Sequence, residues 1–210
     1  MLKSIKINIF GAIILMVSIC LPIQACAIDA EKEEIISFYM SFPKDKISIT
    51  HSGQLNIPLY PEGTPKLLAY GKNRGLALLS HIRDADGNMI GFTSELEDFD
   101  SITETNLGSW KTIWTVTIPG KGSIIAYHIE ALPPEVVEKF EFVTNTKKPW
   151  SGGITKPNTI GPLPNKRGII IGGSGIYTGA KGEFIEIGTL HGLSAEGDLI
   201  ADIELQFIIK

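Results

Sequence analysis

The strongest constraint on the fold of this chain is an alternating pattern of apolar and polar residues at its C-terminus. Every second residue from Leu199 to Ile209 is apolar, whereas Asp202, Glu204 and Gln206 occupy intervening positions. Successive side chains of a β-strand point to opposite faces of the sheet, so this spacing indicates a strand with one face buried and the other in water. The C-terminus is therefore predicted to be an antiparallel strand.

The same alternation recurs along the chain, and no stretch shows a sustained helical pattern. Period-two patterns occupy residues 36–42, 76–82, 90–96, 110–118 and 125–129. Turn sequences rich in glycine separate several of them, in a chain that holds 22 glycines and 12 prolines. About eight strands joined by short turns are typical of an all-β sandwich or barrel. The sequence from Pro133 to Phe140 predicts one short helix or a bend.

The N-terminal 27 residues have the pattern of an export leader. Lys3 and Lys6 precede 14 mostly apolar residues, Ile7 to Cys20, and Ala25-Cys26-Ala27 has the small-x-small form of a cleavage site. The apolar stretch is too short to cross a membrane as a helix. We therefore expect a signal peptide at 1–27 with cleavage after Ala27, a single domain at 28–210, a secreted or periplasmic protein, and no transmembrane span.

A second interpretation of the leader is lipidation. The sequence Ile23-Gln24-Ala25-Cys26 partly matches the motif after which bacterial lipoproteins are cut and acylated, which would make Cys26 the first residue of a membrane-anchored lipoprotein. Cys20 and Cys26 are the two cysteines of the chain. Cleavage after Ala27 would remove both, and the exported domain would then depend on its apolar core rather than on disulfides.

Charge separates two other segments from the rest of the chain. Residues 145–167 contain five basic residues, four prolines and no acid, whereas 95–104 contains five acids and no base. We expect 145–167 to be a long basic loop. The two segments are interpreted either as separate solvated loops or as a pair closing one end of a barrel. The net charge of −4 argues against nucleic-acid binding, which favours a basic surplus.

Metal and cofactor sites are not indicated by the sequence. The four histidines, at 51, 81, 128 and 191, lack the paired spacing of zinc ligands, so we predict no metal and no cofactor. His128 and Glu130 lie on the strand face opposite Ile125, Tyr127 and Ile129. That placement predicts an outer surface, either wet or in contact with another subunit.

The strand faces assigned to the interior are apolar apart from two serines. This pattern predicts an interior that binds a small apolar molecule. Catalysis in such an interior would act by shape alone, by folding a reactive molecule so that its ends meet. The residues expected to line the interior and contact such a ligand are Phe38, Met40, Ser80, Phe92, Ser94, Trp114 and Tyr127.

Three segments resemble the allene oxide cyclase/dirigent superfamily, in particular its bacterial barrel-like domain. They are the acidic-turn hairpin Ile82–Gly91, the hairpin that begins at Trp114–Ile118, and the stretch Ile170–Gly182 with its sequence Gly-Gly-Ser-Gly-Ile-Tyr-Thr-Gly-Ala-Lys-Gly. The resemblance implies an all-β fold, an eight-stranded antiparallel β-barrel, and a homo-oligomer, commonly a trimer. It also implies that glycines form a sharply bent corner of the barrel, where positive φ and close backbone approach are needed: Gly172, Gly173, Gly175, Gly179 and Gly182.

The resemblance leaves the activity open. Dirigent proteins carry a His-Asp pair after an aromatic residue on the first strand, and the corresponding residues here are Ser41 and Phe42. One hypothesis is a binding protein for a small apolar molecule, and another is a cyclase or dirigent-type enzyme, an isomerase that steers a reactive intermediate. The second predicts an inward-facing polar side chain, and the candidates near strand ends are Glu95, Tyr177 and Arg167. A third hypothesis is a structural or host-interacting surface protein.

Overall fold

The computed structural model describes residues 33–51, 75–98 and 108–210. The expected leader, with the cleavage site at Ala27 and the lipidation site at Cys26, lies outside these residues, as does the part of the acidic segment from Phe99 to Glu104. No helix in the described ranges has the length and apolar character needed to cross a bilayer.

The described residues form eleven strands and one α-helix. In chain order they are β1 (Glu34–Phe42), β2 (Lys46–His51), β3 (Gly75–Arg83), β4 (Met89–Asp98), β5 (Ser109–Ile118), β6 (Gly122–Ala131), α1 (Pro134–Thr146), β7 (Trp150–Pro157), β8 (Thr159–Gly161), β9 (Gly168–Gly173), β10 (Gly182–Leu193) and β11 (Leu199–Ile209). A single 3₁₀ turn, Gly175–Tyr177, lies between β9 and β10.

Eight of the strands close into an antiparallel barrel. Hydrogen bonding follows the order β1-β11-β10-β9-β6-β5-β4-β3, and β3 returns to β1 through the pair Tyr39 and Arg83. Each of the three remaining strands pairs along part of one barrel strand: β2 with β3, β7 with β10 and β8 with β6. The predicted fold class, an eight-stranded antiparallel barrel, is confirmed.

A buried ion pair lies at the seam between β1 and β3. Asp45, which is 1% exposed, accepts hydrogen bonds from Arg83 at 3.0 Å and 2.6 Å and from the Ser41 backbone N–H at 2.9 Å. Burial alone would raise the pKa of Asp45, but the Arg83 and Ser41 hydrogen bonds outweigh it and hold that pKa below its ordinary value. Replacing only one partner of this ion pair would leave the other charge unpaired, which strongly destabilises a folded protein where that charge is buried.

The segment predicted as a long basic loop is largely ordered structure. Residues 145–167 begin in the last turn of α1 and continue through β7 and β8, both of which pair with barrel strands. Two of its five bases form ion pairs, Lys156 with Glu135 and Arg167 with Glu183, and neither acidic partner lies in 95–104. The prolines favoured a loop, but three of them lie outside the strands, and Pro157 is the last residue of β7, a position that a strand tolerates.

The helix packs on a second, smaller apolar cluster that is separate from the main core. α1 begins at Pro134, a residue suited to the first helical turn, and ends where Lys147 takes a left-handed conformation. It is longer than the short helix that the sequence predicted. Its buried residues Val136 and Val143 pack with Leu190 and Leu193 of β10.

Strand parity was predicted correctly for four strands and wrongly for two. On β1, β3, β5 and β11 the apolar faces point inward, as expected. On β4 and β6 the faces are reversed: Phe92 and Leu96 are exposed, whereas Glu95, His128 and Glu130 are buried. Apolar content failed as a guide here because the outer faces of these two strands are themselves apolar.

The glycine corner has the tight geometry that the sequence predicted. Gly175 and Gly182 have positive φ of 61° and 145°, and a Cβ at either would collide with backbone oxygens, those of Lys121 and Ile208 respectively. Only glycine fits such positions without displacing the neighbouring strand. The corner therefore fixes how β9 passes through the 3₁₀ turn into β10.

Candidate functional site

Four carboxyl side chains and one imidazole lie together inside the barrel. β4 contributes Glu95 and Glu97, β6 contributes His128 and Glu130, and β10 contributes Glu186. We call these five residues the interior acidic cluster. They lie toward the end of the barrel at which β4, β6 and β10 finish, while Phe38, Ile82 and Ile124 fill the part nearer the glycine corner. The interior is thus apolar at one end and ionisable at the other.

Glu186 is the most enclosed of the carboxyls, at 1% exposure. Its Oε2 accepts a hydrogen bond from the Trp114 indole N–H at 2.8 Å, and its Oε1 accepts one from the Asn158 amide at 2.8 Å. Both donors are neutral. They fix the orientation of the carboxyl group but leave its charge uncompensated.

His128 is fully buried, and its two ring nitrogens have different surroundings. Nδ1 lies 3.0 Å from the Thr159 hydroxyl, whose oxygen also accepts a hydrogen bond from the Glu186 backbone N–H at 2.8 Å. Nε2 lies 3.4 Å from Glu186 Oε2 and 3.9 Å from Glu130 Oε2. Among the side chains described, Nε2 of His128 is a buried polar atom without a hydrogen-bond partner.

Strand β5 supplies further neutral donors. The Thr112 hydroxyl donates to Glu130 Oε2 at 3.0 Å, and the Trp110 indole N–H donates to Glu97 Oε1 at 3.0 Å. Thr112 is fully buried. The wall formed by β5 is therefore a row of donors directed at carboxylates on the adjacent strands.

Burial and mutual repulsion favour the neutral form of these carboxyls. Burial raises the pKa of Glu95 well above its ordinary value, and the charges of Glu97, Glu130 and Glu186 raise it further. Burial, with the charge of Glu186, raises the pKa of Glu97 to about 8, although the Trp110 hydrogen bond opposes the shift. Burial likewise raises the pKa of Glu130 and of Glu186.

The same burial acts on the imidazole in the opposite sense. It lowers the pKa of His128 to about 3, so the ring is neutral at physiological pH. A neutral imidazole offers one nitrogen lone pair, and the carboxyls offer several oxygens. Such a group can hold protons, bind a cation, or polarise an oxygen of a bound molecule.

A separate pocket opens at the glycine end of the barrel, away from the interior acidic cluster. It has a volume of about 630 Å³. Apolar side chains, among them Phe38, Ile118 and Tyr177, form part of its wall, and four charged residues also line it: Glu34, Asp84, Lys121 and Lys210. We call this space the glycine-end pocket.

The predicted interior residues divide between the two faces of the wall. Phe38, Met40, Ser80 and Trp114 are buried on the inner side. Phe92, Ser94 and Tyr127 alternate with buried residues and lie on the outer side of β4 and β6, because the parity of those strands was assigned in reverse. With Leu96 and Ile113 they form an apolar outer surface, and the homo-oligomer that could use it stays a prediction.

The three catalytic candidates have different surroundings. Glu95 is 6% exposed and belongs to the interior acidic cluster. Tyr177 is buried beside the glycine-end pocket, and Arg167 is a partly exposed partner of Glu183 at 2.6 Å. Of the three, only Glu95 joins the cluster.

Glu97, His128, Glu130 and Glu186 were missed as site residues. The expected outer position of His128 and Glu130 was wrong, because they continue the inward face that begins with Ile124 and Ala126. Glu186 lies between Ile185 and Ile187, and a single polar residue flanked by two β-branched ones is a sign that could have drawn attention to it. The sequence alone does not predict that these residues lie close together, because that depends on the register of β5 against β4 and β6.

Comparisons with known proteins give likenesses of structure. No protein-family model matches the sequence, and no curated protein does. The pterocarpan synthase dirigent protein PsPTS1 is similar at 11% identity and a TM-score of 0.44, over 85% of this chain and 96% of that one. The dirigent protein GePTS1 is similar at 12% identity and a TM-score of 0.42, over 85% of this chain and 86% of that one.

A third solved structure is AbnU, described as an exo-specific intermolecular Diels-Alderase. It is 12% identical, with a TM-score of 0.35, over 84% of this chain and 98% of that one. Two of these three structures are described as dirigent proteins. What the present barrel does depends on its own interior and on its own pocket.

Proposed function

We propose that the protein binds a small molecule with a largely apolar body in the glycine-end pocket. The observation that carries the proposal is the pocket itself: about 630 Å³, within the usual size range of small-molecule sites, with a wall in which apolar side chains are mixed with polar and charged ones. Phe38 and Ile118 contribute to the apolar surface, and Lys121 lies where an acidic or polar end of the ligand could pair. Lys210 also lines the pocket, where it is paired with Glu183.

A tryptophan placed in this pocket is expected to block binding. Thr178 is exposed and lines the pocket, so Thr178→Trp fills it without removing a buried side chain. With the dye 1-anilinonaphthalene-8-sulfonate as probe, titration followed by fluorescence is expected to show affinity weakened roughly tenfold or more, the loss of somewhat over 1 kcal/mol of contact.

The matched control is Thr155→Trp. Thr155 is also exposed and threonine-to-tryptophan is the same change, but it lies on β7 outside the pocket. Unchanged dye affinity in this variant together with a loss in Thr178→Trp supports the proposal. Equal affinities in the two variants would place the dye elsewhere and count against the pocket.

A second candidate function is an isomerase or cyclase that uses the interior acidic cluster. The observation that favours it is Glu95, the carboxyl expected from the sequence, buried beside three others in a barrel interior. Buried ionisable groups are costly, and where several persist together they mark functional sites more often than structural ones. Ring closure within one molecule moves electron pairs without changing its formula, so a polarising group is sufficient.

Glu95→Gln tests this candidate because it keeps the shape of the side chain and removes its acidity. An extract of the producing cells is incubated with wild type or variant and compared by liquid chromatography with mass spectrometry. We expect wild type to convert at least one compound to a product of equal mass and new retention time, and the variant to reduce that conversion at least roughly tenfold. The control is Glu138→Gln on the exposed face of α1. No conversion by wild type, or equal conversion by Glu95→Gln, contradicts the candidate.

A further inference from the structure

The unpartnered nitrogen of His128 is the starting point. The residue is 0% exposed, and its Nε2 faces two carboxylate oxygens without a hydrogen bond to either, among the residues described. A buried polar atom without a partner is uncommon in folded proteins and calls for an unseen occupant such as an ion. The neighbours of this atom are acids, so the occupant it favours is positively charged.

The spacing of the surrounding atoms fits one metal ion. Nε2 of His128, Oε2 of Glu130 and Oε2 of Glu186 lie within 4.8 Å of one another, with 3.4 Å and 3.9 Å from the nitrogen to the two oxygens. Ligand atoms held about 2.0–2.2 Å from a tetrahedral zinc ion are about 3.3–3.6 Å apart. The two nitrogen–oxygen distances are close to these values, and the two oxygens lie at most 4.8 Å apart. Side-chain shifts of up to about one ångström would therefore bring all three atoms into coordination distance.

The outer hydrogen bonds match those that orient metal ligands. The Thr159 hydroxyl oxygen can accept the Nδ1–H of His128, which leaves the lone pair of the ring on Nε2, directed at the cluster. Trp114 and Asn158 hold Glu186, and Thr112 holds Glu130. A second ring nitrogen that donates to an oxygen, and carboxylates held by further donors, are the usual surroundings of a metal-binding histidine site.

We propose that His128, Glu130 and Glu186 bind a divalent cation that accepts both nitrogen and oxygen ligands, with Zn²⁺ as the representative ion. Three protein ligands leave the fourth tetrahedral position for water or for an oxygen of a bound molecule. There the ion supplies Lewis-acid polarisation, which deepens the second candidate function, while the binding itself is independent of any substrate. The sequence predicted no metal because its ligands are spread over two distant strands.

A divalent cation would compensate the negative charge of the carboxylates that bind it. Imidazole favours Zn²⁺ over Mg²⁺ and Ca²⁺, which prefer oxygen ligands alone, so selectivity follows from His128. Glu95 and Glu97 form a second group of potential ligands with Glu130. They would remain as neighbours of the site, within reach of a group on the open position.

Isothermal titration of the purified, chelator-treated protein with ZnCl₂ tests the proposal directly. We expect about one equivalent bound per chain with submicromolar affinity and no comparable binding of MgCl₂. His128→Ala and Glu186→Gln should each weaken binding at least about 100-fold, and Thr159→Val, which removes only the orienting hydroxyl, about 10–100-fold. The matched control His191→Ala, an exposed histidine paired with Asp202, should bind as wild type does.

A spectroscopic measurement covers the case in which His128→Ala fails to fold. Co²⁺ added to the wild type should give the strong visible absorption of a four-coordinate site, which Zn²⁺ then removes, and Thr159→Val should shift that spectrum. The proposal is overturned if wild type binds neither ion more tightly than Mg²⁺, or if folded Glu186→Gln binds as tightly as His191→Ala. The zinc titration contains no small-molecule ligand, and Thr178→Trp should keep the zinc affinity of wild type. A negative result in this titration is therefore distinct from a negative result for dye binding in the pocket or for conversion of a substrate.

Discussion

Replacing Phe184 with alanine is expected to lower the free energy of unfolding by about 3–5 kcal/mol, the usual cost of removing a buried aromatic ring. Phe184 is fully buried at the boundary between the apolar and acidic parts of the interior. Its ring centroid lies 5.0 Å from that of Phe207 and 5.1 Å from that of His128, which it meets at 70°. The variant loses packing on both sides and leaves a cavity that the closed wall cannot collapse to fill.

Urea unfolding followed by tryptophan fluorescence measures this loss. The control is Ile171→Ala on β9, a neighbouring strand, where the side chain is 54% exposed and the expected change is within about 1 kcal/mol. A loss of less than about 1 kcal/mol in Phe184→Ala would mean that Phe184 does not fill a closed interior.

The stability of the chelator-treated protein is expected to fall as the pH rises from 6.5 to 8. Raised pKa values mean that the native carboxyls keep protons that the unfolded chain has already released above pH 4.5, so this contribution to stability is lost as the pH climbs towards the folded pKa, about 8 for Glu97. The lowered pKa of His128, about 3, acts in the opposite direction only below about 6.5, where the unfolded imidazole takes up a proton. Asp45 and Glu183 have lowered pKa values and titrate at more acidic pH.

The slope of this pH dependence counts protons. Each proton retained by the native state costs about 1.4 kcal/mol per pH unit, so one retained proton gives a loss of about 2 kcal/mol between pH 6.5 and 8, and every further one adds about as much. Thermal unfolding in EDTA should show Tm falling by about 5–10 °C over that range.

Two variants separate the cluster from the rest of the chain. Glu97→Gln removes one titrating carboxyl and should flatten the slope, whereas Glu138→Gln, on the exposed face of α1, should leave it unchanged. A Tm that is flat or rises between pH 6.5 and 8 in wild type would contradict the protonated interior.

Much of the barrel wall could be predicted from the sequence because a strand with one buried face has apolar residues at every second position. The C-terminal strand is the clearest case, since Ile203, Leu205 and Phe207 are separated by Glu204 and Gln206, and Leu205 and Phe207 are fully buried. The glycine corner was predictable for a different reason. Gly175 and Gly182 occupy backbone positions that other residues cannot adopt, so their identity reports the geometry directly.

The faces of β4 and β6 could not be assigned because alternation gives the period but not the direction. On β6, Ile125, Tyr127 and Ile129 are no less apolar than Ile124 and Ala126, yet the second set faces inward. The choice is made by the partners across the strand pair: Thr112 lies opposite His128 and Trp110 opposite Glu130. That information exists only once the register is known.

The interior acidic cluster was only partly predictable for the same reason. Glu95 was a candidate because it lies near a strand end, in an acidic segment. Glu186 is 91 residues away in the sequence, on β10, where it accepts a hydrogen bond from Trp114 of β5. Burial then changes what these residues are. Glutamates expected to be solvated charges become largely neutral groups. A histidine expected at the surface instead holds an unpartnered ring nitrogen in the interior, among the residues described.

The central claim is that a closed barrel encloses the interior acidic cluster, and a crystal structure of the protein tests it most directly. We expect β3 to pair with β1 at Tyr39 and Arg83, and the Glu186 carboxyl to lie between the Trp114 indole and the Asn158 amide inside the wall. An open sheet between β1 and β3, or Glu130 and Glu186 on the solvent side of their strands, would contradict it.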